Sequence, residues 1–242
     1  MSARTIVVTG VAGGIGRAIA EACLRDGYDV AGVDASATAL DVLRAALPAG
    51  RFRSYVADVS KPAEVEAVFA HLADQNVVAT DLVNNAGVYL ARDLMAYTAT
   101  DMQRVVAVNC LGAAYFSKAF ARQLFLSEHL GSIVNIASVA GQDGGSDAIY
   151  GMTKAALIGL TKSCALNWAP RVRVNAVAPG IVNTTMGADV PEERRAHYRD
   201  AELIKEAIEP VDVAETVAFL LGDRARHYTG AVFDLNNGVY RR

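Results

Sequence analysis

The sequence predicts a doubly wound α/β domain, a parallel β-sheet with helices packed on both faces. Three observations predict it. Short apolar runs of strand type alternate with helical patterns along the whole chain. The runs are apolar on both sides, as strands covered from two faces must be. The chemistry-bearing residues Gly10, Asp34, Asp58, Asn85, Ser138 and Pro179 all fall at the carboxyl ends of runs, where ligands of such sheets bind.

Residues 4–9 carry the β-branched run Thr-Ile-Val-Val-Thr and read as a buried strand. A glycine loop follows, Gly10-Val11-Ala12-Gly13-Gly14-Ile15-Gly16, and then a helix through Asp26. Strand, glycine loop and helix form the context of a dinucleotide-binding turn. The glycines let the backbone approach a pyrophosphate, and the helix N-terminus offers free N–H groups to it. A second strand, residues 28–33, ends at Asp34, whose carboxylate suits the ribose hydroxyls of NAD and repels a 2′-phosphate. No Lys or Arg at Gly13 or Ala35 offsets that repulsion. Asp34 could instead cap the helix expected over residues 36–46.

A third strand, 51–56, leads to Asp58-Val59, and a helix spans 62–72 with Pro62 in its first turn. The fourth strand, 81–83, runs into Asn84-Asn85-Ala86-Gly87, amides that need backbone or ligand partners. Residues 98–127 read as one long helix or two. Asn109 lies in it among valines, either as a satisfied core amide or as a residue that bends the helix and holds a water. Residues 132–137 form the fifth strand, ending at Ser138, whose hydroxyl could bind a substrate oxygen. The next helix carries Tyr150 and Lys154 at i and i+4, on one face. A free tyrosine, with a pKa of about 10, is almost un-ionised at neutral pH. A neighbouring ammonium favours the phenolate and pulls it toward the range of a general base. The plain alternative is a surface Tyr and Lys. Residues 172–177 form the sixth strand, closing at Pro179-Gly180. Residues 186–209 are the most polar stretch and read as a helical insertion. A short helix over 213–221 and a strand over 231–235 end the chain.

The bulk composition limits the function classes. The 242 residues are 52% hydrophobic, enough for one sizeable core, and we expect one domain over 1–242. A net charge of −3 without a basic block argues against nucleic-acid or anionic-membrane partners. No apolar run approaches a membrane span. Cys23, Cys110 and Cys164 lack metal-type spacing, and His71, His129, His197 and His227 are scattered, so no metal site is expected. The first strand begins near Thr5, leaving no room for a signal peptide, and we expect a cytoplasmic protein.

Taken together, Thr9-Gly10 with Gly14 and Gly16, Asp34, Asp58-Val59, Asn84-Asn85-Ala86-Gly87, Asn109, Ser138, Tyr150 with Lys154, and Pro179-Gly180 followed by Thr184 resemble the short-chain dehydrogenase/reductase family over nearly the whole chain. The resemblance implies a Rossmann-type sheet of seven strands in the order 3-2-1-4-5-6-7. It implies Tyr150 as catalytic acid/base and Lys154 lowering its pKa and binding the nicotinamide ribose. It implies Ser138 orienting substrate and Asn109 holding a water of the proton relay. Ile15 and Asp34 would touch the ribose groups, Asp58 and Val59 the adenine, Asn85 the sugar, and Val182 and Thr184 the nicotinamide carboxamide and phosphate. Ala86, Gly87, Pro179 and Gly180 belong to the same cofactor motifs.

The implied protein is an NAD-dependent oxidoreductase of a secondary alcohol and its ketone. A 3-oxoacyl-thioester reductase is the alternative, and a non-catalytic NAD-sensing regulator the alternative of another class. The family's paired helices imply a homotetramer. In the family the serine usually precedes the tyrosine by thirteen positions; here Ser138 and Tyr150 are twelve apart, so the 142–147 loop is one residue short and the pocket shape is altered. Asp143 and Asp147 make that loop acidic, which points to a neutral or cationic substrate.

Overall fold

All five residues of Thr5–Thr9 are β-branched, and they form the central strand, β1. The computed structural model describes residues 4–241. In it β1 lies between β2 (Asp29–Asp34) and β4 (Ala79–Asn84). With β3 (Phe52–Val56), β5 (Gly131–Ile136), β6 (Val172–Pro179) and β7 (Val232–Leu235) they make a parallel seven-stranded sheet ordered β3-β2-β1-β4-β5-β6-β7. The chain works outward from β1 to β3, then returns to β4. The strand order therefore reverses beside β1, which opens a crevice at the carboxyl ends there.

Successive side chains of β1 enter opposite layers. Ile6 and Val8 pack with Ile19 of α1 (Gly14–Arg25), Leu40 of α2 (Ala37–Ala46) and Val217 of α9 (Pro210–Leu221). Val7 packs on the other face with Val68 of α3 (Pro62–Asp74), Phe116 and Phe120 of α5 (Gly112–Phe125) and Cys164 of α6 (Ala148–Trp168). This two-sided burial explains why the strands read as continuous apolar runs.

The segment expected as one long helix or two is a rod in three parts. Thr98 opens α4 (Ala99–Val106) with a reciprocal capping box to Asp101. A π turn at Ala107–Leu111 follows, and α5 continues from it. The polar insertion contains α7 (Thr185–Ala188) and α8 (Glu192–Ala201) and is irregular beyond. Val182 pairs with Ile208 across its base.

Polar side chains lock the layers together. Asn84 donates to Ser117 Oγ at 2.9 Å and to Asn135 Oδ1 at 2.8 Å, and Asn135 donates to Thr161 Oγ1 at 2.8 Å. This buried ladder ties β4 and β5 to α5 and α6. Nearer the amino end of β4 Asp81 is wholly buried and accepts from Arg4 at 2.6 and 3.1 Å. Burial pushes the Asp81 carboxyl up to about 6, against the pull of Arg4.

Arg4→Met leaves Asp81 buried without its bidentate partner. We expect a stability loss of about 3 kcal/mol near neutral pH, the low end for a broken buried ion pair, because Thr80 still donates to Asp81 and the carboxyl can take up a proton. Without Arg4 the folded-state pKa rises further above the unfolded value, so the loss should shrink as pH falls below it. Urea unfolding at neutral and mildly acid pH measures both.

Candidate active site

The crevice beside β1 is a cavity of about 460 Å³. The turn after β1 forms one wall. Gly10 has φ +63°, and a Cβ there would lie 2.8 Å from Ala86 Cα. A Cβ on Gly16 would lie 2.2 Å from the Gly10 carbonyl oxygen, so the loop and the first turn of α1 close only around glycine. No side chain caps α1 at Gly13, so its first N–H groups face the cavity mouth.

Asp34 accepts from Ala12 N at 3.1 Å and from Ser36 N at 3.0 Å. Ser36, not Asp34, caps α2, accepting from Ala39 N at 3.3 Å. The carboxylate thus stands at the end of β2, held to the glycine loop, with no Lys or Arg in ion-pair distance among the described residues. Thr9 Oγ1 accepts from Asn85 N and Ala86 N at 3.0 and 3.1 Å, while Asn85 Nδ2 donates to the Thr9 and Gly10 carbonyls, both at 3.0 Å. Asn85 lines the cavity, yet its N–H₂ group is a strut of the loop.

The catalytic candidates meet deeper in. Lys154 is buried, and its Nζ donates to the Ile136 carbonyl at 2.7 Å, 5.6 Å from the Tyr150 ring centre. The Ser138 hydroxyl lies beside the Tyr150 phenol and favours its charged form, and it accepts from Ala140 N at 3.2 Å. The loop between them, one residue short of the family pattern, does not separate the two hydroxyls. Asp147 caps α6, accepting from Tyr150 N at 2.9 Å. Of the two acids of this loop, Asp147 lines the cavity and its charge acts on the Tyr150 and Tyr89 phenols, and the charge of Asp143 acts on Tyr198. Asp147 is buried and bonded to Tyr97 and Arg92 N as well, and Asp143 is exposed.

One expectation is corrected. A lysine one turn away should depress the Tyr150 pKa, but burial pushes the phenol up to about 12, with the neighbouring Ser138 hydroxyl opposing it. Burial pulls Lys154 down to about 8. Desolvation disfavours the charged form of each. Tyr150 is therefore a neutral phenol near pH 7 and Lys154 is still mostly protonated.

Asn109 sits in the π turn. Its Oδ1 accepts from Val88 N at 2.7 Å, and its Nδ2 donates to Val88 O at 2.9 Å and Thr153 Oγ1 at 3.2 Å. The core-amide reading describes its side chain, whose N–H groups have protein partners. A Cβ on Gly87 would fall 3.5 Å from Asn109 Oδ1 and 3.7 Å from Lys154 Nζ, so the missing side chain leaves a gap between them.

Gly10, Gly14, Ile15, Asp34, Asn85, Ala86, Gly87, Ser138, Tyr150, Lys154, Pro179, Gly180, Val182 and Thr184 line one cavity. Gly16, Asp58, Val59 and Asn109 do not. Asp58 turns to Ser60, whose hydrogen bonds hold its carboxyl below the usual range, and Val59 packs on Gly112. Thr184 caps α7: it accepts from Gly187 N at 3.1 Å and donates to Val182 O at 3.3 Å. Tyr89, Arg194 and Tyr198 also line the cavity and were not singled out from the sequence. Tyr89 lies edge-on to Tyr150, ring centres 5.0 Å apart.

A nicotinamide dinucleotide fits this donor set: a cradle that any Cβ would fill, an uncapped helix N-terminus, and a carboxylate at the end of the second strand. The described residues hold no His/Cys/Asp/Glu group suited to a metal. A family model described as enoyl-(acyl carrier protein) reductase matches residues 10–240. The chain is 38% identical to the 2-(S)-hydroxypropyl-CoM dehydrogenase 3 of Xanthobacter autotrophicus, over 97% of this chain and 95% of that protein. It is 33% identical to the meso-2,3-butanediol dehydrogenase of Serratia marcescens, over 98% and 94%. The crystal structure of a short-chain dehydrogenase/reductase, a glucose/ribitol dehydrogenase from Brucella melitensis, superposes with a TM-score of 0.93 at 32% identity, over 99% and 97%.

If burial controls Tyr150, its phenol does not ionise below the free-tyrosine value of about 10 in the ligand-free protein. Ultraviolet difference titration of the protein against Tyr150→Phe reads this one group. A phenolate step near neutrality would show that Lys154 dominates after all.

Proposed function

Because the chain belongs to the short-chain dehydrogenase/reductase family, and is an oxidoreductase of CH–OH groups, we propose that it interconverts a secondary alcohol and its ketone with NAD. The observation that carries this reading is the meeting of Ser138, Tyr150 and Lys154 at the inner end of a cavity whose outer wall is the glycine cradle.

Gly10, Gly14 and Ile15 with the α1 N-terminus would hold the pyrophosphate side of the cofactor, Asp34 the adenosine ribose, and Lys154 the other ribose. Bound there, the nicotinamide supplies the acceptor or donor of hydride. Ser138 donates to or accepts from the substrate oxygen and fixes it beside Tyr150. In ketone reduction, neutral Tyr150 donates its proton to that oxygen. In alcohol oxidation Tyr150 first loses its own proton to solvent, and the resulting phenolate, steadied by the ammonium of Lys154, takes the proton of the alcohol. Asp58, Val59 and Asn109 support the site from outside the cavity.

The alternative of a 3-oxoacyl-thioester reductase is disfavoured by Asp34, since a carboxylate at that strand end repels the 2′-phosphate of NADP. We also propose a homotetramer. Met152, Ala155 and Gly159 form an exposed stripe on α6, and Leu111 and Phe125 are exposed on the neighbouring rod, a surface suited to self-pairing. Three free cysteines suit a cytoplasmic setting.

Tyr150→Phe should lower kcat by about 100-fold or more with NAD affinity retained. Ser138→Ala should lower kcat without weakening NAD. Steady-state kinetics with fluorescence titration of NADH tests both, and full activity of Tyr150→Phe would sink the mechanism.

Cofactor choice is a separate test. The unaltered enzyme should favour NAD over NADP, and Asp34→Ala combined with Ala35→Arg should relax or reverse the preference. Equal kcat/KM for the two cofactors before mutation removes Asp34 from the site.

A further inference from the structure

Arg194 is the cation that the cavity does not use. It projects from α8 into the cavity wall with Tyr89 and Tyr198. Its neighbours on the helix pair with Glu192, which accepts from Arg195 at 2.6 Å and also from Arg199, while Arg195 Nε is itself buried without a hydrogen bond. Arg194 has no carboxylate partner among the described residues, and its Nη1 is buried with no hydrogen-bond partner. Its guanidinium lies near the Tyr89 hydroxyl and favours the charged form of that phenol, and Tyr89 stands edge-on to Tyr150. A charged N–H group buried without an acceptor is costly, and proteins keep one where a ligand supplies the acceptor.

The nearby acids do not supply it. Asp147 lines the same cavity but is bonded to Tyr97, Tyr150 N and Arg92 N, and Asp143, whose charge reaches the Tyr198 phenol, is exposed and makes no ion pair with Arg194. Burial pushes the phenols of Tyr89 and Tyr198 up, so both stay protonated and able to donate. One guanidinium and two phenols thus face the same end of the cavity, one tyrosine ring beyond the reacting group.

We infer that Arg194, with Tyr89 and Tyr198, seats an anionic group at the far end of the substrate, so that the enzyme acts on a hydroxy or oxo compound bearing a carboxylate, sulfonate or phosphate. This rests on the dehydrogenase reading of the cavity and reverses the substrate charge expected from the 142–147 loop. Arg194 is a specificity-determining residue here, since it meets substrate away from the reacting atoms. A guanidinium offers a planar pair of donors to such a group.

The test is calorimetric and does not depend on turnover. Enzyme saturated with oxidised cofactor, NAD or NADP as it binds the tighter, is titrated with acetoacetate and levulinate and with their methyl esters. A ketone with oxidised cofactor forms a dead-end complex. At least one acid should bind tenfold or more tightly than its own ester. Arg194→Gln should reduce that acid-over-ester ratio by tenfold or more, and Arg194→Lys should keep part of it. Equal binding of acid and ester, an unchanged ratio in Arg194→Gln, or binding of neither compound overturns the inference. If Arg194→Gln does not fold, the ratio in the unaltered enzyme and in Arg194→Lys decides. The dehydrogenase reading fails differently, by tight binding of an acid that reduced cofactor never converts.

Discussion

A single ammonium group in a dry interior is the constraint on which the upper half of the molecule depends. Lys154 has one direct acceptor, the carbonyl of Ile136 at the end of β5, and burial weakens its hold on a proton. Keeping it charged requires that strand end and α6 stay in fixed register. The ladder Asn84–Asn135–Thr161 supplies the register, because it joins β4, β5 and α6 through buried hydrogen bonds that a slipped helix would break. Gly87 faces the same pair, where a Cβ would make ordinary contacts with Asn109 Oδ1 at 3.5 Å and Lys154 Nζ at 3.7 Å.

The same economy of partners recurs at the glycine loop. Asn85 and Asp34 hold the loop by bonds to its backbone, and Thr9 ties the strand before it to the backbone of Asn85 and Ala86, so the cradle is set before a ligand arrives. The π turn at Asn109 fits this pattern. The amide grips both polar groups of Val88 and so fixes the segment that leads to Tyr89, one wall of the substrate end. The helix gives up regular geometry there to tie down a loop.

Much of this was legible in the sequence. Strands buried on both faces read as uninterrupted β-branched runs, and every strand was located to within a few residues at its ends. The order of strands is a different kind of knowledge: alternation implies a parallel sheet, while the order followed from the family resemblance. The partners of Asn109 were not legible, because Val88 lies 21 residues away and nothing local marks it. The Tyr150–Lys154 spacing gave the geometry and misjudged the titration, since burial is a tertiary property. Arg194 was hidden for a simpler reason. In a helix as polar as α8, an arginine facing a cavity has the same sequence signature as one facing water.

The insertion that carries Arg194 is fastened at its base and to the C-terminal tail. Val182 pairs with Ile208 at its base, and the Asn237 carbonyl accepts from Leu203 N at 2.8 Å and Ile204 N at 3.3 Å, so the C-terminal tail acts as a clasp. Lengthening a loop whose ends are already pinned costs little entropy. The part of the chain that selects a molecule can therefore be rewritten without disturbing the part that reacts with it. In evolutionary terms the two are separate inheritances: one scaffold of reaction chemistry can pass unchanged through lineages that exchange only this flap.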